Sequence, residues 1–490
     1  MGFLHGVETI ELLQGPVPIN EVKSAVIGVI GTALEGEPYK MHVIRSRDEI
    51  EPLFGKASPG FTLYNALDAI FDHVQTTVLA VNVFDVSTDK VSETETFDKW
   101  EVAGSLYYVQ LPHNNVRNVK IGIINPDNPG SEIVGLDDYY QHISVDYDNG
   151  IVQRLDTFPV TQAELEDPNA PIPFDLYISY DYLNVSNVTN VIRILEHVHI
   201  FESALSQFGF FPKILIAPGF SHEAGVGPEM LTVANPCRAM ALIDIPEDKT
   251  PEEAVQIKQA YNSDRCMICY PKIKFVDPLT GTESTDWLSS RAAGLMAKVD
   301  KEEGYHVSPS NHVLEGITGV ERLLSYIPNN ENTELNYVNS QGIVSVLNFY
   351  GSGYRLFGNR TAAFPFMSDP LNTFICWRRV ADILEESIEY YTLQFLDKPM
   401  FTNPMNVKND LLIKIQDSVN DFIRILRGRG VLVDGECTIN TDDNPTTALA
   451  NGQLTYRYYF TPPVPAERIT YKAIADIEAL STVFATITNQ

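Results

Sequence analysis

Apolar residues recur at helical spacing through Leu63, Leu67, Ile70, Phe71 and Val74, and a run of strand formers, Val78-Leu-Ala-Val-Asn-Val-Phe84, follows directly. The same alternation returns twice. Val191, Ile194, Leu195, Val198, Phe201, Leu205 and Phe208 lead into Lys213-Ile-Leu-Ile-Ala-Pro-Gly219; Ala254, Ile257 and Ala260 or Tyr261 lead into Arg265-Cys-Met-Ile-Cys-Tyr270. Residues 26–30 and Ala239-Met-Ala-Leu-Ile-Asp-Ile245 supply further strands. Short, nearly all-apolar strands between amphipathic helices predict an α/β fold, a doubly wound sheet covered on both faces. Right-handed crossovers make such a sheet mostly parallel.

The pattern changes in two places. Residues 92–187 carry period-two stretches such as Asn118-Val-Lys-Ile-Gly-Ile-Ile124 between turn clusters such as Asn125-Pro-Asp-Asn-Pro-Gly130, which predicts an inserted β-rich domain on the outside of the molecule. Near the C-terminus, Leu411, Leu412, Ile415, Val419, Phe422, Ile423 and Leu426 form a helical stripe ended by Gly428 and Gly430. Strands are expected at 431–433 and 454–460, with Asn451-Gly452 as a turn, giving an α+β domain.

A chain of 490 residues that is 44% hydrophobic buries a large core and divides into two to four domains. Its net charge of -29 argues against direct nucleic-acid binding, which needs clustered Lys and Arg. Five cysteines form no dense disulfide framework, so a reducing cytoplasm is the expected assembly compartment. No apolar run approaches membrane-spanning length and the first thirty residues lack signal-peptide character, so neither membrane insertion nor export by that route is expected.

Candidate chemistry is sparse. Cys266 and Cys269 have CxxC spacing, but inside an apolar strand residues i and i+3 point to opposite faces, so they read as buried structural thiols. His197 and His199 diverge by about 200° on a helix, and Ser221-His222-Glu223 reads as a loop. The segment Tyr305-His306-Val-Ser308-Pro-Ser310-Asn311-His312 holds nucleophile and base types without a Gly-x-Ser-x-Gly elbow. Gly351-Ser-Gly353 lacks dinucleotide or P-loop spacing and reads as a hairpin turn, with Arg355 and Arg360 as packing or salt-bridge residues. No catalytic residue, cofactor or metal is expected.

Several stretches, in order along the chain, resemble the contractile tail sheath family of phages, R-type pyocins and related injection systems. They are His5-Gly6-Val7-Glu8 through Leu12 to Pro18, Ser24-Ala-Val-Ile-Gly-Val-Ile-Gly-Thr32, residues 191–219, Ala292-Ala-Gly-Leu-Met-Ala-Lys-Val-Asp-Lys-Glu-Glu-Gly-Tyr-His306, Ser310-Asn311, Gly316-Ile-Thr-Gly-Val320, Gly353-Tyr-Arg-Leu-Phe-Gly-Asn-Arg-Thr361, Asp397-Lys398-Pro399, the helical stretch to Arg424, Gly430-Val-Leu-Val-Asp434 and Tyr459-Phe-Thr-Pro-Pro463. Residues 92–187 lie outside the resemblance and receive no transferred role.

The resemblance implies a non-enzymatic subunit that polymerises helically around an inner tail tube, contacts baseplate and tail terminator proteins, and contracts to drive the tube through a cell envelope. It implies assembly in the bacterial host cytoplasm and residence in a virion tail or contractile particle. The implied organisation is an N-terminal arm (1–20), an α/β core (21–91 and 188–370), the inserted domain (92–187), a C-terminal α+β domain (371–480) and a C-terminal arm (481–490). Inter-subunit strand pairing falls on Val7, Glu8, Thr9, Ile10, Glu11, Leu12 and Leu13, on Leu454, Tyr456, Tyr458 and Phe460, and on Val483, Phe484, Ala485, Thr486 and Ile487. Gly15, Pro16, Pro462 and Pro463 are the expected hinges; Arg468 and Lys472, four apart on an expected helix at about 466–480, are the expected tube-facing pair. At about 3.3 Å per residue the N-terminal arm can reach roughly 65 Å. Two other readings stand beside this one: an acidic cytoplasmic α/β enzyme of unknown substrate, and a self-assembling shell or surface-layer protein.

Overall fold

The computed structural model describes residues 18–97, 100–103, 106–124, 142–155, 175–185, 187–277, 281–349, 351–401, 411–481 and 484. In chain order the strands are β1 (Val26–Gly31), β2 (Met41–Ile44), β3 (Thr77–Asn82), β4 (Lys90–Phe97), β5 (Glu101–Ala103), β6 (Leu106–Gln110), β7 (Val116–Ile124), β8 (Ile143–Asp146), β9 (Ile151–Arg154), β10 (Asp175–Leu183), β11 (Ile214–Ile216), β12 (Met240–Asp244), β13 (Cys266–Cys269), β14 (Ile273–Val276), β15 (Glu283–Asp286), β16 (Gly319–Val320), β17 (Ile343–Asn348), β18 (Tyr354–Phe357), β19 (Asp434–Thr438) and β20 (Arg457–Thr461).

A mainly parallel sheet of eight strands, ordered β18-β17-β13-β12-β11-β1-β3-β2, forms the centre. The inner strands from β17 to β3 run parallel, and β18 and β2 close the edges antiparallel. Alternation along each strand splits the apolar residues between two layers. Ile27, Val29, Val78, Ala80, Ile214 and Ile216 pack with the Leu63–His73 and Leu288–Glu302 helices. Val26, Ile30, Leu79, Val81 and Leu215 pack on the other face with Phe201 and the Val226–Cys237 helix. The Leu63–His73 and Leu288–Glu302 helices touch closely at Gly294, where an added Cβ would stand 2.9 Å from the Ile70 Cα.

Residues between β3 and the Asn187–His197 helix form two small antiparallel sheets, β4-β10-β7 and β5-β6-β9-β8, around Trp100, Val109, Val116, Ile121, Val152 and Ile178. Their two ends are tied together where they leave the core. Arg193 Nη2 donates to Asp89 Oδ1 at 2.8 Å, and the Asn184 amide donates to the Asp89 carbonyl at 2.8 Å.

The Ile375–Leu393 and Leu411–Gly428 helices and the β19–β20 ribbon enclose a third apolar cluster, including Val380, Ile383, Leu384, Ile415, Val419, Phe422 and Leu426. The strand expected at 431–433 begins instead at Asp434. Val431 and Leu432 are buried in the cluster, and the Val431 amide donates back to the Leu426 carbonyl, so these residues close the end of the preceding helix.

Candidate assembly surfaces

The crevice outside the carboxyl ends of parallel strands is where an α/β enzyme binds its ligand. Here the chain fills the space beside β1 and β11. The Leu63 amide donates to the Thr32 carbonyl at 2.9 Å, and an added Cβ on Gly219 would stand 2.9 Å from Thr62 Cγ2 and 3.4 Å from Trp287 Nε1. Further along the same sheet end, the Asp244 carboxylate accepts from the Ser289 amide at 2.9 Å, the Ser289 hydroxyl at 2.5 Å and the Ser221 hydroxyl at 3.2 Å. Burial outweighs these bonds and pushes the Asp244 carboxyl up to about 7.

The other candidate groups sit in structural settings. Cys266 and Cys269 are fully buried and join clusters on opposite faces of the sheet. Burial raises the pKa of both thiols. His197 stacks on Tyr39 with ring centroids 4.1 Å apart, while His199 bonds Glu202 at 2.8 Å and Glu229 at 2.5 Å. In the 305–312 loop, Ser310 Oγ accepts from the Gly358 amide at 3.0 Å and His312 Nε2 bonds Glu303 at 2.9 Å. The Arg355 side chain donates to the Asn311 carbonyl at 2.7 Å. Among the described residues no group of three or more His, Cys, Asp or Glu is arranged to hold a metal ion.

Charged side chains concentrate where the C-terminal helices meet the core. Asp382 accepts both guanidinium nitrogens of Arg265 at 2.6 Å and bonds Arg378 at 2.9 Å; Arg379 pairs with Asp300, Lys213 with Glu386, and Arg238 with Glu385 and Glu389. Most of these groups are buried, and their forked geometry fixes the Ile375–Leu393 helix against the sheet. Sequence periodicity did not reveal this seam, because a helix carrying Arg378, Arg379, Asp382, Glu385 and Glu386 reads as solvated.

Both ends of the described chain are pinned to the body. Ile19 and Val22 enter the C-terminal cluster, the Val22 amide donates to Ser387 Oγ at 3.1 Å, and Glu21 pairs with Arg429. At the other end, Trp377 Nε1 donates to the Pro463 carbonyl at 2.9 Å. Arg360 grips Glu467 with bonds of 2.8 and 2.5 Å while lying 3.7 Å above the Phe374 ring. Beyond Glu467 the chain presents Ile469, Tyr471, Ile474, Ile477 and Leu480 to solvent, each at least two-thirds exposed.

The β19–β20 ribbon covers one face of the Leu411–Gly428 helix. Tyr456, Tyr458 and Phe460 turn toward the helix and remain half-buried, whereas Arg457 and Tyr459 face outward. Asn420 reaches from the helix to the outer edge of β19, accepting the Cys437 amide at 2.7 Å and donating to the Cys437 carbonyl at 3.0 Å. Gln416 donates to the same carbonyl at 3.2 Å.

The tail sheath protein of Burkholderia phage BcepMu is 36% identical to this chain over 499 aligned positions, which cover 98% of each protein. The chain belongs to the tail sheath protein family. The family model for the phage tail sheath protein central domain matches residues 196–362 of this sheath subunit. Its fold resembles that of the anti-feeding prophage helical sheath in the contracted state, with a TM-score of 0.57 and 15% identity over 97% of this chain and all of the other. It also resembles a chain of the anti-feeding prophage baseplate, with a TM-score of 0.55 and 14% identity over 97% of this chain and all of that one. It is a structural component of a contractile tail and not an enzyme.

The sheath subunit's expected contact residues fall into three groups. Val7 to Leu13, Gly15, Pro16, Val483 and Ala485 to Ile487 lie outside the described residues. Tyr458 and Phe460 sit on β20, whereas Leu454 and Tyr456 precede it, and Pro462 is buried just after it. The helix expected at about 466–480 is corrected by the structure: residues 462–476 are not helical, and among the described residues that follow, helix is present at 478–481 and at Phe484. Arg468 and Lys472 therefore share no helix face here, and Arg468 pairs with Glu331 at 3.0 Å. Three prolines at 462, 463 and 465 oppose an early helix start, and no neighbouring surface buries Ile469, Tyr471 or Ile474 to favour one. Of the C-terminal strand-pairing residues Val483 to Ile487, Phe484 alone is described, and it has helical backbone, as has Ser481 before them.

Proposed function

We propose that this sheath subunit polymerises with copies of itself into a helical cylinder around an inner tail tube, joined to baseplate and terminator proteins at its ends, and contracts to drive the tube through a target envelope. The observation that carries this reading is the exposed apolar segment after Glu467. It leaves its own subunit at a fixed point and offers Ile469 to Leu480 for burial elsewhere. A contact of one surface with a different surface on the next copy generates a helix when its rotation does not close into a ring.

Residues 1–20 and 481–490 act as arms in this reading. Residues 7–13, and the C-terminal arm around Val483 to Ile487, hold neighbouring subunits together at the β19–β20 ribbon, while the core (21–91 and 188–370) and the α+β domain (371–480) move as packed bodies. Gly15, Pro16, Pro462 and Pro463 serve as the hinges, with the Arg360–Glu467 grip limiting the C-terminal pair. Arg468 and Lys472 face the tube, on a segment that gains helix when its apolar side chains are covered. The inserted domain (92–187) lies on the outside of the cylinder. Assembly takes place in the bacterial host cytoplasm.

Deleting residues 2–14 tests the arm assignment. The expected result is a folded chain with an unchanged unfolding transition that forms no long tubes under the electron microscope. Tubes of normal length and striation from the deleted chain would contradict it.

A further inference from the structure

A groove opens beside residue 18, between the 208–213 loop and the C-terminal end of the Ile375–Leu393 helix, with a volume of about 520 Å3. Phe208, Phe210, Phe211 and Tyr390 line it, each only half-buried. Among its lining groups Lys213 and Glu386 form a buried pair that adds no net charge, and Glu386 also accepts from the Tyr390 hydroxyl at 2.6 Å. Lys23 is exposed at the rim, with its ammonium 4.5 Å from the centre of the Phe210 ring. Among the described residues Lys23 has no carboxylate partner, and the neighbouring Glu21 is taken by Arg429. Aromatic walls and an unpaired cation, in a space of this size, suit a few apolar side chains with a carboxylate beside them.

We propose that in the dispersed subunit this groove holds the chain's own residues 11–13, so that the N-terminal arm is parked on its own body until a neighbouring copy draws it out. This rests on the arm reading given above and adds where the arm sits before assembly. The tether selects the occupant. Pro18 already lines the groove, and Leu13 stands five residues before it, a span of up to about 17 Å when extended. Gly15-Pro16 lies between them and lets the chain double back. Charge agrees with reach. Residues 1–17 contain Glu8 and Glu11 and no Lys or Arg, so seating Leu12 and Leu13 against the phenylalanines brings Glu11 beside Lys23. The arm of a second copy has the same chemistry, but a short flexible tether holds the chain's own arm at an effective concentration on the order of millimolar, above that of dispersed subunits. A parked arm is closed to neighbours, and growth at a tube end, where several contacts form together, displaces it.

The test is thiol labelling of the full-length chain, kept below the concentration at which tubes form. The native cysteines are all buried, so a maleimide reports on an added cysteine with low background. Leu13→Cys is expected to react at least ten-fold more slowly than Gly2→Cys. Adding Lys23→Glu, an exposed change that leaves the tether length as it is, is expected to speed labelling at Leu13→Cys at least three-fold, and Phe210→Ser to bring it to the rate of Gly2→Cys. Equal rates at Leu13→Cys and Gly2→Cys in the parent chain would overturn the proposal. Protection that survives both groove substitutions would overturn the choice of groove. Protection that disappears on dilution would show that a second copy is the occupant and would overturn parking on the same chain.

Because Leu13→Cys removes a docking side chain, amide exchange on the unsubstituted chain gives a second readout. The amides of Phe210 and Phe211 are expected to exchange at least five-fold faster in dispersed subunits once residues 2–14 are deleted. Unchanged exchange at both would overturn the proposal, while the arm assignment itself is judged separately by whether the deleted chain forms tubes.

Discussion

Buried charge carries much of the specificity at the residue scale. Asp382 sits between Arg265 and Arg378 with little solvent to compensate a lost partner. Replacing Asp382 with Ala strands the Arg265 guanidinium and leaves Arg378 with its longer pairs to Glu385 at 3.4 Å and Asp264 at 3.6 Å, and the expected loss is about 3–5 kcal/mol of unfolding free energy, read from urea denaturation. A loss below about 1 kcal/mol would mean that water takes the place of the carboxylate. Asp244 gives a pH dependence of definite sign. Its carboxyl is pushed up to about 7 by burial, with the buried Asp286 adding repulsion, so the folded chain keeps a proton that the unfolded chain releases near pH 4. Its contribution to stability is therefore greatest below about pH 4 and is lost as pH rises to about 7, by up to about 4 kcal/mol. Asp244→Asn removes that slope, and its stability relative to the parent is expected to improve steadily from pH 4 to 7.5. A constant difference between the two proteins across this range would contradict the assignment.

At the scale of elements, close packing of the Leu63–His73 and Leu288–Glu302 helices depends on Gly294. Alanine would gain about 1 kcal/mol in helix propensity, but its Cβ would press on the Ile70 backbone at 2.9 to 3.0 Å. The expected net effect of Gly294→Ala is a loss of about 1–3 kcal/mol, checked by thermal unfolding of the same chain. This helix pair also shows what the sequence reveals and what it hides. The stripe from Leu63 to Phe71 and the apolar run after it read directly as helix and strand, because burial on one side leaves a period. The CxxC pair was legible for the same reason, as residues three apart on a strand. The Ile375–Leu393 helix was not legible as a buried element, since its partners are charges from distant parts of the chain. Nor was the role of Asn420, whose contact with Cys437 depends on how helix and ribbon meet. Residues 466–480 show the opposite error: the family resemblance implied a helix there, although the isolated chain supplies no surface to stabilise one.

For the whole molecule, a core with a filled crevice and an exposed apolar segment after the pinned Glu467 suits a subunit whose work is done between copies. Each chain carries a net charge of -29, so assembly brings like charges together. Raising ionic strength from about 0.02 to 0.3 M shortens the screening length from about 20 Å to about 6 Å and is expected to lower the concentration at which tubes form, as read by sedimentation. Tubes that dissolve over that range would instead show that paired charges between subunits dominate.

The central claim is that this chain builds a contractile cylinder. Negative-stain electron microscopy of the purified full-length chain, alone and co-expressed with its tube protein, tests it most directly. Striated hollow cylinders are expected, wider when the chain assembles alone. Discrete small particles in both samples would contradict the claim.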